Sequence, residues 1–227
     1  MAAVGQLNTF KVVKVVEFGV YLDGGSLGEI LLPRRYIPAE CQLGDSVEVF
    51  VYFDSEDAII ATTQKPYAVV GDFALLKAVE VNRVGAFLDW GLEKDLLVPF
   101  REQQHKMEEG RSYLVRIYHD EKSNRLAASS RLDKFLDNQP ADFQEGQGVK
   151  LIIGDQTDIG YKAIVENAHW GVVYKNEVFQ ELKKGQALDG FIKKVRDDGK
   201  IDVCLQKSGY EKITETAGRV VDALGNP

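Results

Sequence analysis

The hydrophobic positions of this 227-residue chain fall in short runs between polar punctuation. LGDSVEVFVYFD, EGRSYLVRIYHD and KGQALDGFIKKVRDD are rich in Val, Ile, Phe or Tyr and bounded by Gly, Asp or Asn, which predicts β-strands. VVEFGVYLD places apolar residues on both sides of a glycine and predicts a strand, a sharp bend and a second strand. Such a bend suits a barrel corner, where glycine avoids the steric cost of unusual backbone angles. The period changes only near the end. There Ile213, Ala217, Val220, Val221 and Leu224 recur at helical intervals behind Ser208 and Glu211, which have the spacing of a capping box. One short helix does not bury its apolar stripe unaided, so it either docks on the preceding unit or opens another domain.

The glycines reveal a repeat. Gly5, Gly19 and Gly44 are 14 and then 25 residues apart, and the same intervals separate Gly71, Gly85 and Gly110, and Gly146, Gly160 and Gly185. GQLNTFKVVKVVEFGVYLD aligns with GDFALLKAVEVNRVGAFLD without a gap, while GQGVKLIIGDQTDIGYKAI is the most divergent copy. TTQKPYAVVG and SSRLDKFLDNQPADFQEG, the latter broken by Pro140, read as linkers. Five short strands in roughly 60 to 65 residues per unit fit a small closed barrel. The expected fold is therefore all-β: three tandem five-stranded barrels over 1–66, 67–140 (with its linker) and 141–208, followed by a helical segment over 209–227.

Composition narrows the function. Hydrophobic residues are 44% and charged residues 28%, as in an ordinary soluble chain. No apolar run approaches the roughly 18 to 20 residues of a membrane helix, and MAAVGQLNTFKVVKVVEF lacks a basic start followed by an apolar block, so no secretory signal is expected there. Two cysteines, Cys41 and Cys204, far apart in sequence, do not make a disulfide framework or a metal-ligand cluster, so a reducing cytoplasm is the expected setting. With 28 basic against 35 acidic side chains the net charge is −7, which argues against indiscriminate polyanion binding but not against a local basic patch. Residues 1–66 carry −4 of it, and the second and third units −1 each. His105, His119 and His169 lie in separate contexts without ligand spacing, and no phosphate loop, nucleophile elbow or paired-cysteine motif is present. A non-enzymatic protein without metal or cofactor is expected.

A glycine, then fourteen residues to a Phe-Gly-x-aromatic turn, then a glycine-opened strand ending in Asp, resembles the ribosomal protein S1-type RNA-binding domain, a five-stranded OB-fold barrel. More narrowly, GEILLPRRYIP, EKDLLVPFREQ, TDIGYKAIVENAHWGVVYKNEVF and the C-terminal segment resemble the conserved virulence factor B family. The resemblance implies three such barrels, a winged-helix domain beginning at 209–227 with its remainder outside this chain, and a role in RNA binding and bacterial gene expression.

It also implies a site. The family's two stacking aromatics match Phe18 and Tyr21 in the first unit, Val84 and Phe87 (with Trp90 three residues on) in the second, and Ile159 and Lys162 in the third, where the aromatic platform is lost. Phe50, Arg116 and Phe191 correspond on the strand after the third glycine, and Ile59 and Arg125 at the barrel end. A histidine common in such domains is replaced by Leu32 and Val98, with Arg34, Arg35 and Arg101 just beyond. The expected RNA-binding set is thus Phe18, Tyr21, Arg34, Arg35, Phe87, Trp90, Arg101, Arg116 and Arg125. In the third unit Lys193, Lys194 and Arg196 form a basic cluster, Trp170 is expected to be buried and His169 to be on the surface. The leading expectation is a binder of single-stranded RNA that stacks bases on aromatic rings beside cationic side chains. The alternative is a scaffold for proteins of the gene-expression apparatus, favoured by the acidic first unit and the degenerate third.

Overall fold

The computed structural model describes residues 2–54 and 56–206. The helix expected over 209–227, and any winged-helix domain it opens, lie outside them. The chain divides into two compact units, residues 1–132 and 133–227. Among the described residues all helical segments are single 3-10 turns, and no helix is long and apolar enough to cross a membrane.

The first unit contains two repeats. Strands β1 (Leu7–Val16), β2 (Gly19–Asp23), β3 (Glu29–Pro33), β4 (Ser46–Phe53) and β5 (Ile59–Thr62) close into a barrel in the order β1-β2-β3-β5-β4. Closure rests on one parallel pair, Leu31 opposite Ile60. Strands β6 (Phe73–Val81), β7 (Gly85–Asp89), β8 (Leu96–Pro99), β9 (Ser112–Asp120) and β10 (Arg125–Ser129) form the second sheet, ordered β10-β9-β6-β7-β8. This corrects the expectation of three closed barrels. In the second repeat β8 and β10 lie side by side without a ladder between them, and the seam stays open. The unit covering residues 133–227 holds β11 (Gly148–Gln156), β12 (Gly160–Val165), β13 (His169–Tyr174), β14 (Ala187–Val195) and β15 (Ile201–Cys204), again a closed barrel, with Gly171, Val172 and Val173 of β13 facing Ile201, Asp202 and Val203 of β15.

The glycine triplets have distinct physical causes. A Cβ on the middle glycine would fall 2.4 Å from the Leu32 carbonyl oxygen at Gly19, 2.3 Å from that of Val98 at Gly85 and 2.0 Å from that of Val173 at Gly160. The neighbouring strand crosses too closely for any side chain there. The third glycine of each triplet, Gly44, Gly110 or Gly185, turns the chain at φ between 78° and 93°, the left-handed region. Each first strand also carries a register shift, at Val12/Lys14, Ala78/Glu80 and Ile153/Gln156, which adds the curvature a small barrel needs.

The two repeats of the first unit share a core. Strand β4 is buried on both faces: Val47, Val49 and Val51 fill the first barrel, while Phe50 and Tyr52 join the core of the second repeat. There the Phe50 ring meets Trp90 edge-on at 5.5 Å.

Candidate nucleic-acid interface

Alternation along β2 decides which ring reaches solvent. Val20 and Leu22 point into the barrel, so Tyr21 between them faces out, opposite Lys14 on β1 and Leu31 on β3. Phe18, in the β1–β2 turn, is 58% exposed and meets Tyr21 edge-on at 6.5 Å. The Lys14 ammonium sits over the Tyr21 ring at 5.6 Å, a cation–π contact. Arg34, whose side chain is exposed, donates its backbone N–H to the Phe18 carbonyl, which sets its backbone beside the β1–β2 turn. Phe18, Tyr21 and Lys14 are therefore gathered on one surface. Arg35 points elsewhere: its guanidinium lies over Tyr36 at 4.8 Å and pairs with Glu93 at 2.7 Å.

The second repeat repeats the register. Ala86 and Leu88 are buried, Phe87 faces out opposite Glu80 and Leu97, and Val84 is exposed where Phe18 stands in the first repeat. The open seam makes this surface a groove of about 370 Å³, lined by Phe87, Leu97 and Arg101 on one side and by Arg125, Leu126 and Ala127 on the other. Phe87, Arg101 and Arg125 thus converge in one place.

Two expected members differ: Trp90 borders the groove but stays buried, and Arg116 lies outside it. Trp90 is 2% exposed, and its indole N–H donates to the Lys94 carbonyl at 2.6 Å. Its face is spent on the shared core, so it offers no ring to a base. Arg116 does not line the groove; its half-buried guanidinium lies over Phe73 at 4.7 Å, and burial pulls its pKa below the usual arginine range.

The groove's cations are already engaged. Arg101 pairs with Asp120 at 3.2 Å. Arg125 donates to Asp57 of the β4–β5 loop. Lys94 donates to the carbonyls of Asp54 at 2.5 Å and Phe53 at 3.2 Å. The hydrogen bond from Arg125 holds the Asp57 carboxyl below the usual carboxylate range, and the hydroxyl of Ser123 does the same for Asp120. Lys94, whose pKa burial lowers, had no signal of its own in the sequence. Lys14 could have been found by pairing residues backwards from the Phe18–Gly19 turn.

The third repeat reverses two expectations. His169 is 7% exposed, packed edge-on against Phe143 at 5.5 Å and 3.4 Å from an Asp137 carboxylate oxygen. Trp170 is only half-buried, with Lys162 over its ring at 3.9 Å and its indole N–H on Asp133 at 2.8 Å. The ring missing at position 162 of β12 is thus supplied by β13, beside a cleft of about 930 Å³ also lined by Ile159 and Lys200. The basic cluster of this repeat is partly neutralised, with Lys193 paired to Glu177 and Arg196 to Asp202. No group of three or more His, Cys, Asp or Glu among the described residues could hold a metal.

The S1 domain model matches this chain twice, over residues 4–64 and 70–130. YitL of Bacillus subtilis strain 168 is 23% identical over 211 residues, spanning 88% of this chain and 70% of its own length. The conserved virulence factor B of Staphylococcus saprophyticus is 21% identical over 230 residues, spanning 97% of this chain and 77% of that protein. A crystal structure of a multidomain protein with nucleic acid binding domains from Streptococcus pneumoniae superposes with a TM-score of 0.48 at 20% identity, over 89% of this chain and 74% of the other.

Proposed function

We propose a function from one premise: this chain belongs to the S1-domain family. The protein binds single-stranded RNA without catalysing a reaction on it, and does so in the regulation of bacterial gene expression. Bases stack on Phe18, Tyr21 and Phe87, while Arg34, Arg101 and Arg125 meet phosphates; Lys14 and Lys94 join them.

The observation that carries this reading is the common register of Tyr21 and Phe87. Each stands on the outward face of the second strand of a repeat that the family model matches, Tyr21 under the Lys14 ammonium and Phe87 in one groove with Arg101. A stacked base contributes about 1–3 kcal/mol, so three rings give affinity on the order of micromolar after ordering costs. Fluorescence anisotropy with a short labelled uridine-rich RNA tests it. Phe87→Ala should weaken binding about tenfold, and Phe18→Ala with Tyr21→Ala, which removes two stacks, about a hundredfold, without unfolding the chain. Unchanged affinity in both folded variants overturns the surface.

A second reading, a scaffold for proteins of the gene-expression apparatus, is favoured by one feature: Lys94, Arg101 and Arg125 already have protein oxygens as partners. A wild-type chain that binds no RNA at low salt would support it.

A further inference from the structure

An arginine that lines the groove of the second repeat is held by a residue that no resemblance brings to it. Asp57 belongs to the first repeat, in the loop from β4 to β5, and its carboxylate is the hydrogen-bond partner of Arg125 on β10. The loop is built to put it there. Asp54 accepts the N–H groups of Glu56 and Ala58 on one carboxylate oxygen, at 2.8 and 2.9 Å, and its own N–H donates to the Ala58 carbonyl. That tight turn leaves Asp57 at φ 62°, a left-handed conformation that Asp and Asn tolerate better than most residues. The same loop supplies the backbone carbonyls of Phe53 and Asp54 to the Lys94 ammonium. One short segment thus satisfies two of the groove's cations with oxygen atoms.

A carboxylate hydrogen-bonded to a guanidinium presents the geometry and charge that a phosphate oxygen presents. Both partners are near the surface, with side chains 54% and 43% exposed, so the pair exchanges in water rather than being locked in the interior. We infer that Asp57 is an affinity-determining residue of the groove: its carboxylate occupies on Arg125 the position an RNA phosphate takes, and a polynucleotide must displace it. This rests on the RNA-binding reading above and deepens it. The arrangement sets a threshold. A single phosphate exchanges one ion pair for another with no net gain, whereas a strand that also stacks bases on Phe87 gains what the displacement does not return. The groove therefore discriminates against small anions and in favour of strands whose bases are free to stack.

Asp57→Asn tests this, because Asn keeps the backbone conformation and the side-chain volume while removing the charge. RNA anisotropy is measured across a salt series on the full chain for wild type, Asp57→Asn, Glu56→Gln, Arg125→Ala and the Asp57→Asn/Arg125→Ala double variant. Glu56 is the control: an exposed carboxylate one residue away, whose removal changes the net charge equally. Asp57→Asn is expected to bind about two- to fivefold tighter, the span of an exposed ion pair, with an unchanged salt slope, because the phosphate contact to Arg125 forms in both chains. Glu56→Gln should leave affinity unchanged, and the gain should vanish in the Arg125→Ala background. Equal affinity of Asp57→Asn and wild type, an equal gain from Glu56→Gln, or a gain that survives without Arg125 overturns the inference while the RNA reading stands. Loss of RNA binding in every chain, wild type included, overturns both.

Discussion

Phe87 and Trp90 are three residues apart and end on opposite sides of their sheet. Strand alternation alone puts residues three apart on opposite faces, and Trp90 shares the inward parity of Ala86 and Leu88. Gly91 at φ 89° and the Asp89 carboxylate accepting its N–H at 2.9 Å turn the chain just after it. His169 and Trp170 exchange roles for a different reason: AHWGVVY is apolar at both parities, so nothing in it fixes which set faces inward. The two rings of the second repeat should therefore separate by experiment. Trp90→Ala should cost about 3–5 kcal/mol of stability in urea unfolding, as for a buried aromatic, whereas Phe87→Ala should spare stability and cost RNA affinity. A second residue-scale prediction concerns Tyr52 and Tyr118, whose phenols burial pushes up to about 12. The folded state holds these protons when the unfolded chain has begun to lose them, near the ordinary value of 10. The contribution to stability is complete below that pH and declines as pH rises through the folded-state value. Tyrosinate absorbance of the folded chain should lag that of the denatured chain across this window, and Tyr52→Phe should shrink the lag.

At the scale of elements, the strands and the repeat were legible because glycine spacing reports geometry that no other residue tolerates. Gly160 sits against the Val173 carbonyl so closely that Gly160→Ala must push β12 and β13 apart, and a cost of about 1–3 kcal/mol is expected from such overpacking. Alanine at exposed Gly199, where a Cβ would meet nothing but φ is 80°, should cost less. Thermal melts of the two variants compare them directly, and an equal shift would contradict the close-approach account. Closure was not legible. The five-strand count is the same in every repeat, yet one ladder pair closes the first, three close the third and none closes the second. That difference arises from how β8 and β10 approach one another in space, and short apolar strands give no sequence signal of it. The groove is a product of the seam, and so its convergence of Phe87, Arg101 and Arg125 could be expected only residue by residue.

At the scale of the molecule, a charge of −7 and cations already paired with carboxylates leave few sites for phosphate. The salt dependence of RNA binding should be moderate: three to five phosphate contacts on a single strand give a slope of about −2.1 to −3.5 in log affinity against log salt. A slope several times steeper would mean a cationic surface other than the one described. The acid excess lies mostly in the first repeat, and the structure shows part of its use, since Asp57 reaches the neighbouring repeat's arginine. The sheared division of labour within residues 1–132 has a kinetic counterpart. Because Phe50 and Tyr52 of β4 complete the core around Trp90, neither repeat can open without uncovering the other's apolar interior. Amide protons of β4 should then exchange with deuterium at the same slow rate as those of β6 and β9, as one cooperative block, and the S1 repeats of this unit should behave as a single folding entity.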